Sequence, residues 1–151
     1  MKKEVLITVT GLIYTGDGDN ENDYIDVITP GKYYFRNGSH VLVYEEILEG
    51  CEAPVRNFLT VSPEQVSMRK SGIVFSQMEF VPGKPTRALY GTPFGELELD
   101  IETKSIDISE GEDGIRADIR YVLTVNGIQR NNCFVKILVQ PTGTQTEAGQ
   151  E

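Results

Sequence analysis

Apolar and polar residues alternate with a period of two along nearly the whole sequence, whereas the spacing of an amphipathic helix is hard to find anywhere. Successive side chains of a strand point to opposite faces, so this pattern predicts strands that each bury one face. It is clearest after Gly114, where one face carries Ile115, Ala117, Ile119, Tyr121, Leu123 and Val125. The chain is therefore predicted to be all-β, with roughly nine or ten short antiparallel strands in an up-and-down barrel or sandwich.

Two Asn-Gly pairs predict β-hairpins. A type I′ turn needs positive φ at both central residues, a conformation that Asn and Gly adopt more readily than other residues. Asn37-Gly38 separates the strand-like segments Lys32 to Arg36 and His40 to Glu46. Asn126-Gly127 separates the last two predicted strands.

Pro30-Gly31 is predicted to end a second strand near Tyr24 to Thr29. Proline lacks the amide proton that a strand ladder uses, and glycine weakens the interior of a strand. The next strand is predicted to begin at Lys32.

The segment Ser62-Pro63-Glu64 has two interpretations. It fits a type I turn between two strands, with proline at the second position. Alternatively, Ser62 caps a helix that Pro63 begins and Gly72 ends. Only Val66 and Met68 are apolar between Pro63 and Gly72, and they are spaced as in a strand, which favours the hairpin.

The apolar face changes inside one long segment. Leu97, Leu99, Ile101 and Thr103 share a parity, and the apolar positions then move to Ile106 and Ile108. This one-residue change predicts a β-bulge or sharp bend near Lys104-Ser105, as where a strand rounds a barrel corner. The residues predicted to be largely buried are Leu97, Leu99, Ile101, Ile119, Tyr121, Leu123, Val135 and Ile137.

A chain of 151 residues makes one domain, predicted as a barrel over 1–140 followed by a disordered polar tail over 141–151. No segment approaches the roughly 18 consecutive apolar residues of a membrane span. The apolar residues Val5-Leu6-Ile7 near the start are predicted to belong to a first strand. We expect a cytoplasmic protein in which Cys51 and Cys133 are reduced thiols, since no Cys-x-x-Cys or Cys/His cluster is present.

The charge balance disfavours two classes of partner. Lysine and arginine number 14 against 23 acidic residues, which gives a formal charge of −9. Binding to nucleic acids or anionic membranes usually depends on clustered basic residues. Neither nucleic acid nor a membrane is expected as a partner.

No catalytic, metal or cofactor site is predicted. His40 is the only histidine, it follows a hairpin turn where solvated side chains are usual, and no nucleophile motif accompanies it. One histidine and two isolated cysteines do not make a zinc site. Glu45 and Glu46 are adjacent on a predicted strand, so they point to opposite faces and cannot act as a carboxylate pair in one pocket.

The acidic segment Asp17 to Asp26 offers several carboxylates that could bind calcium. Counted from Asp17, the sixth position of an EF-hand loop is Asn22 instead of glycine, and the twelfth is Ile28 instead of glutamate. A solvated acidic turn is the favoured interpretation.

The segment Thr92 to Ile106 resembles the YwiB-like family of uncharacterised bacterial proteins. Shorter motifs agree with that family in the same order: Gly31-Lys32-Tyr33-Tyr34, Tyr44-Glu45-Glu46, Met68-Arg69-Lys70-Ser71-Gly72 and the last Asn-Gly hairpin. The resemblance covers nearly all of the chain except the tail. It implies a lipocalin-like, calycin-type β-barrel of about eight main strands, and it implies no established activity. The Gly-x-Trp signature of true lipocalins is absent, because the chain has no tryptophan.

A barrel of this size is either filled by its own side chains or holds one small ligand. Tyr90 and Thr92 share a parity, and together with Arg69 and Tyr44 they are the predicted ligand-binding residues. The alternative is that the tyrosine rings fill the core and that Arg69 lies outside, because its parity is opposite to that of Met68.

The expected function is non-enzymatic binding of a small, at least partly apolar molecule inside the barrel. The alternative is a protein-interaction or self-associating module, monomeric or homodimeric, with a filled barrel and no ligand. An enzyme is the third option, but no motif supports it.

Overall fold

The computed structural model describes residues 3–14, 21–48, 50 and 52–142. Every regular element in these ranges is a β-strand, and none of their segments forms a helix long and apolar enough to cross a membrane. The ten strands are β1 (Lys3–Tyr14), β2 (Glu21–Arg36), β3 (Ser39–Glu46), β4 (Val55–Val61), β5 (Val66–Ser71), β6 (Phe75–Phe80), β7 (Pro85–Thr92), β8 (Gly95–Gly111), β9 (Gly114–Val125) and β10 (Gln129–Pro141).

Each strand pairs antiparallel with the next in sequence, and β1 pairs with β10 to close the sheet. The closing ladder runs from Val5 opposite Pro141 to Tyr14 opposite Asn132. The shortest ladder joins β6 to β7 through two residue pairs, Phe75 with Gly91 and Ser76 with Tyr90. The prediction of an all-β antiparallel barrel is confirmed, with ten strands instead of the eight that the resemblance implied.

The predicted hairpin turns are confirmed. Asn37 and Gly38 have φ of 52° and 78°, and Asn126 and Gly127 have φ of 53° and 72°. Positive φ at both positions is the signature of the type I′ turn. Ser62 and Gln65 exchange two backbone hydrogen bonds of 3.0 and 3.3 Å, so β4 and β5 form a hairpin and not a helix.

The prediction that Pro30-Gly31 ends a strand is wrong, because β2 continues through both residues. Its pairing with β3 covers only Lys32 to Arg36, so at Pro30 the strand pairs with β1 alone among the described strands. A strand with one free edge accommodates a proline. A side chain at Gly31 would collide with Ile7 and with the backbone oxygen of Val43, so glycine allows the strand to continue there.

The predicted bulge lies where the change of parity indicated. Thr103 pairs with Tyr121, but the neighbouring pair is Ser105 with Arg120, so Lys104 is the extra residue of β8. The bulge turns Ile106 and Ile108 toward the same interior as Ile101. It allows one strand of 17 residues to follow the curvature of the barrel.

The core lies in the barrel interior. Of the predicted core, Leu99, Ile101, Ile119, Val135 and Ile137 are buried, and Tyr121 and Leu123 are partly buried and pack against them. Leu97 is the exception, with 38% of its surface exposed. It is the third residue of β8, close to the β7–β8 turn.

The pocket end of the barrel carries the turns Pro93–Phe94 and Asn126–Ile128, and the histidine end carries the turns Asn37–Gly38 and Glu112–Asp113. The side chains of Asp17 to Asp26, residue Cys51 and the tail beyond Thr142 lie outside the described part of the chain.

Candidate ligand-binding cavity

A cavity of about 320 Å³ lies inside the barrel toward the pocket end. Its volume falls at the lower limit of the range typical of small-molecule sites, roughly 300–1,000 Å³. The apolar residues that line it are Val9, Val27, Leu59, Met68, Met78 and Val135. The polar and aromatic residues that line it are Tyr44, Glu46, Asn57, Lys70, Ser76, Tyr90 and Tyr121.

Five of the lining residues form one row across five consecutive strands. Tyr44 on β3 lies opposite Asn57 on β4, which lies opposite Lys70 on β5. Lys70 lies opposite Ser76 on β6, which lies opposite Tyr90 on β7. Directly opposed residues share a face of the sheet, so the ladder itself delivers all five side chains to the barrel interior.

Glu46, Asn57 and Lys70 form a hydrogen-bonded cluster in the wall of the cavity. The Lys70 ammonium donates to Glu46 Oε1 at 3.0 Å and to Asn57 Oδ1 at 2.8 Å. The Asn57 amide nitrogen donates to the same Glu46 oxygen at 3.3 Å. Asn57 is only 2% exposed, and both charged side chains are about three-quarters buried. The cluster therefore places one positive and one negative charge, already paired, beside the cavity.

Tyr44 and Tyr90 present phenol groups to the cavity. Burial raises the pKa of both phenols above the usual value, and the nearby Glu46 carboxylate raises it further. Both are therefore neutral hydroxyls near pH 7, able to donate as well as accept a hydrogen bond. Within the described residues, neither phenol oxygen nor the Ser76 hydroxyl has a hydrogen-bond partner.

Gly11 contributes space. It lies on β1 opposite Val135 and lines the cavity, and a Cβ atom added there would meet nothing within 4 Å. Glycine inside a strand lowers strand stability, and it is often found where a ligand or another chain approaches closely.

The structure brings together two of the four sequence-predicted residues, Tyr44 and Tyr90. Arg69 is exposed on the outside of the barrel, with its guanidinium 5.1 Å from the centre of the Phe58 ring. The Thr92 hydroxyl belongs to the β7–β8 turn, where it donates to the Gly95 carbonyl at 2.9 Å and accepts from the Phe94 amide at 3.1 Å. Neither Arg69 nor Thr92 lines the cavity.

Glu46, Asn57 and Lys70 were missed as site residues. Asn57 and Lys70 have the parity of Leu59 and Met68, the residues that face the interior of the same strands. A polar residue that continues an apolar face at a strand end is the signal that identifies them. Glu46 and not Glu45 faces inward, in keeping with the rule that adjacent strand residues point to opposite faces.

The interpretation of His40 as a solvated turn residue is wrong. His40 is 7% exposed and faces inward at the histidine end, because β3 begins immediately after the turn. A hydrogen bond of 2.8 Å joins the Tyr33 hydroxyl to His40 Nδ1, and His40 Nε2 lies 2.9 Å from a Glu110 carboxylate oxygen. The carboxylate only accepts, so Nε2 carries a proton and donates it to this bond.

Cys133 is a buried, free cysteine beside Tyr121. Burial raises the pKa of its thiol to about 11, although the hydrogen bond with Tyr121 acts in the opposite direction. A thiol with a raised pKa is a poor nucleophile near pH 7. The residue therefore packs as a small apolar side chain.

A wider groove of about 490 Å³ lies on the outside, where β2 and β3 separate beyond the Lys32–Val43 pair. Its charged members Glu45 and Arg56 are both more than half exposed and pair at 3.4 Å. Exposed pairs of this kind contribute little energy. The interior cavity, with its buried polar row, is the better candidate site although its volume is smaller.

Among the described residues, no group of three or more histidine, cysteine, aspartate or glutamate side chains is arranged to hold a metal ion. The acidic side chains from Asp17 to Asp26 lie outside the described residues, so this statement does not cover them.

Comparison with known proteins extends over nearly the whole barrel. Residues 7–137 match the family described as a domain of unknown function, DUF1934. The chain is 35% identical over 132 residues to the uncharacterised β-barrel protein YwiB of Bacillus subtilis (strain 168). The matched region covers 87% of this chain and 90% of that protein. The crystal structure of the ywiB protein from Bacillus subtilis matches with a TM-score of 0.78 at 28% identity, over 93% of each chain.

Proposed function

The chain belongs to the DUF1934 family of β-barrel proteins, and from this premise we propose that it is a cytoplasmic, lipocalin-like binding protein. Its ligand is a small, partly apolar molecule that occupies the cavity at the pocket end of the barrel. Tyr44 and Tyr90 orient the ligand, together with Glu46, Asn57 and Lys70. Arg69 and Thr92 have no part in binding under this proposal.

The observation that carries the proposal is the combination of an apolar cavity with inward hydroxyls that lack protein partners. These hydroxyl oxygens are not enclosed by protein, so a ligand that fills the cavity would take them out of water and would have to hydrogen-bond to them. Tyr44, Ser76 and Tyr90 line the same cavity, and a single bound molecule with a polar head would satisfy all three.

The empty space at Gly11 supports the same conclusion. A fully packed barrel gains stability when a strand glycine is replaced by a residue with a side chain that fits. Here the glycine leaves unfilled space beside β1, a strand that contributes no residue to the polar row.

Replacing Gly11 with leucine tests the proposal. Leucine would project into the cavity, and we expect it to weaken binding of the probe octan-1-ol at least about tenfold, as measured by isothermal titration calorimetry. The matched control is Gly111→Leu at the histidine end, where an added Cβ also meets nothing within 4 Å. The control variant should bind octan-1-ol as the wild type does.

Two results would contradict the proposal. Equal affinity of Gly11→Leu and wild type for octan-1-ol would place the ligand outside the cavity. Absence of binding by the wild-type protein, together with no retained small molecule in native mass spectrometry of the purified protein, would remove the binding function itself.

A second candidate function, self-association, is favoured by exposed apolar side chains at the pocket end. Phe94 and Ile128 are 99% and 85% exposed, and Ile47 and Ile73 in neighbouring connections are also exposed. Exposed apolar patches commonly mark interaction surfaces.

Sedimentation velocity over a range of protein concentrations tests this second candidate. The wild type should form a dimer at high concentration, and the double variant Phe94→Ser/Ile128→Ser should remain a monomer. Phe35→Ser, which removes an exposed apolar side chain from the histidine end, is the matched control. A wild-type protein that stays monomeric at every concentration would exclude self-association through this end.

A further inference from the structure

We propose that the cavity selects a ligand with an uncharged polar head, such as an alcohol or a primary amide, and discriminates against carboxylates and amines with the same apolar body. The inference rests on the binding function proposed above and adds the chemical class of the ligand. It follows from how the charges in the cavity wall are paired.

Among the described residues, the wall contains one full positive and one full negative charge, and they neutralise each other. Lys70 and Glu46 are joined at 3.0 Å, and Asn57 bonds to both. A carboxylate that approached Lys70 would therefore also approach the Glu46 carboxylate, and an ammonium that approached Glu46 would also approach Lys70. Neither ion would recover the free energy of hydration that it loses on entering the cavity.

An uncharged head group meets complementary partners instead. Tyr44, Ser76 and Tyr90 each provide a hydroxyl that donates and accepts. The Lys70 ammonium has three N–H donors, of which Glu46 and Asn57 use two. Glu46 Oε1 accepts both described bonds, which leaves its second oxygen available. A head group that both donates and accepts satisfies these atoms with no net charge.

The rest of the cavity suits the apolar part of such a ligand. Leu59, Met68 and Met78 extend from the polar row toward the core, and methionine side chains adapt to irregular shapes. The formal charge of −9 on the whole chain further disfavours an anionic ligand.

Three probes with the same chain length isolate the effect of the head group. Octan-1-ol, octanoate and octylamine share an eight-carbon body, so the contribution of the apolar contacts cancels when their affinities are compared. At pH 7 octanoate is ionised and octylamine is protonated. We expect the wild-type protein to bind octan-1-ol at least about tenfold more tightly than either charged probe in isothermal titration calorimetry.

Substitutions in the Glu46–Lys70 pair should change the preference for octan-1-ol over the charged probes. Glu46→Gln leaves the Lys70 charge unpaired, and octanoate should gain at least about tenfold in affinity relative to octan-1-ol. Lys70→Met leaves the Glu46 charge unpaired, and octylamine should gain similarly. Glu45→Gln and Arg69→Met alter the outward-facing neighbours of the same two residues and should leave the order of the probes unchanged.

The outcomes separate this inference from the proposed function. If the wild type binds octanoate or octylamine as tightly as octan-1-ol, the head-group inference is overturned while the binding function stands. If none of the three probes binds, the head-group inference is overturned, and the binding function fails with it when native mass spectrometry also finds no retained small molecule. The wild-type comparison decides the matter without any variant, so a variant that does not fold leaves the test intact.

Discussion

Each end of the barrel carries a polar cluster around a buried side chain, His40 at one end and Asn57 at the other, but the tyrosine hydroxyls of the two ends are bonded differently. At the histidine end, Tyr33, His40 and Glu110 form a continuous chain in which both imidazole nitrogens are bonded. At the pocket end, Glu46, Asn57 and Lys70 are bonded to one another while the phenols of Tyr44 and Tyr90 have no partner in the described part of the chain. The bonded side chains at the histidine end contribute to the stability of the fold, whereas the unbonded hydroxyls in the cavity are available to a ligand.

The turns at the two ends of the barrel also differ, in the polarity of their exposed side chains. The described turns of the histidine end are polar, as in Asn37–Gly38 and Glu112–Asp113. Those of the pocket end display Phe94 and Ile128, which are almost fully exposed. One regular ladder of strands thus supports an end that contributes to stability and an end that is available for contact with other molecules.

Replacing His40 with alanine should produce the largest difference between the two ends. It removes both hydrogen bonds of the imidazole, leaves the Tyr33 hydroxyl without its partner and opens a void at a buried position. We expect the free energy of unfolding to fall by about 2–4 kcal/mol in urea denaturation.

The matched variant at the pocket end is Ser76→Ala. Ser76 is buried to the same extent as His40, but its hydroxyl has no partner among the described residues. Its replacement should change the free energy of unfolding by less than about 0.5 kcal/mol. A loss at Ser76 as large as the loss at His40 would mean that the pocket end also depends on its polar groups for stability.

Most of the fold was predictable because alternation and turn chemistry are local. The bulge at Lys104 shows this well, since a change of parity along one strand is visible in the sequence without knowledge of any partner strand. Pro30 shows the limit of the method. Whether a proline ends a strand depends on whether its edge is paired, and pairing of β2 with β3 is a property of the closed barrel.

The site was predictable only in part. Tyr44 and Tyr90 have interior parity, and Lys70 shares it with Met68, whereas Arg69 points outward. Parity alone would therefore have selected Lys70. The pairing of Lys70 with Glu46 was not predictable, because those residues lie on strands that are not neighbours, and their distance depends on the curvature of the barrel.

The smallest effects are expected from Tyr33→Phe and Tyr90→Phe, which give the most direct comparison of the two ends. Each substitution removes one phenol oxygen from one end and nothing else. Tyr33→Phe deletes the hydroxyl that is hydrogen-bonded to His40 Nδ1, and a hydrogen bond of this kind contributes about 1 kcal/mol to the free energy of unfolding. Tyr90→Phe deletes a hydroxyl without a described protein partner, so its effect on ligand-free protein should be within about 0.5 kcal/mol of zero. Urea denaturation of both variants beside the wild type measures the contrast. When octan-1-ol is added, the order should reverse, since Tyr90→Phe loses a ligand contact and Tyr33→Phe does not. Equal destabilisation by the two substitutions without ligand would show that the Tyr90 hydroxyl serves the fold, and the distinction between the ends would then disappear.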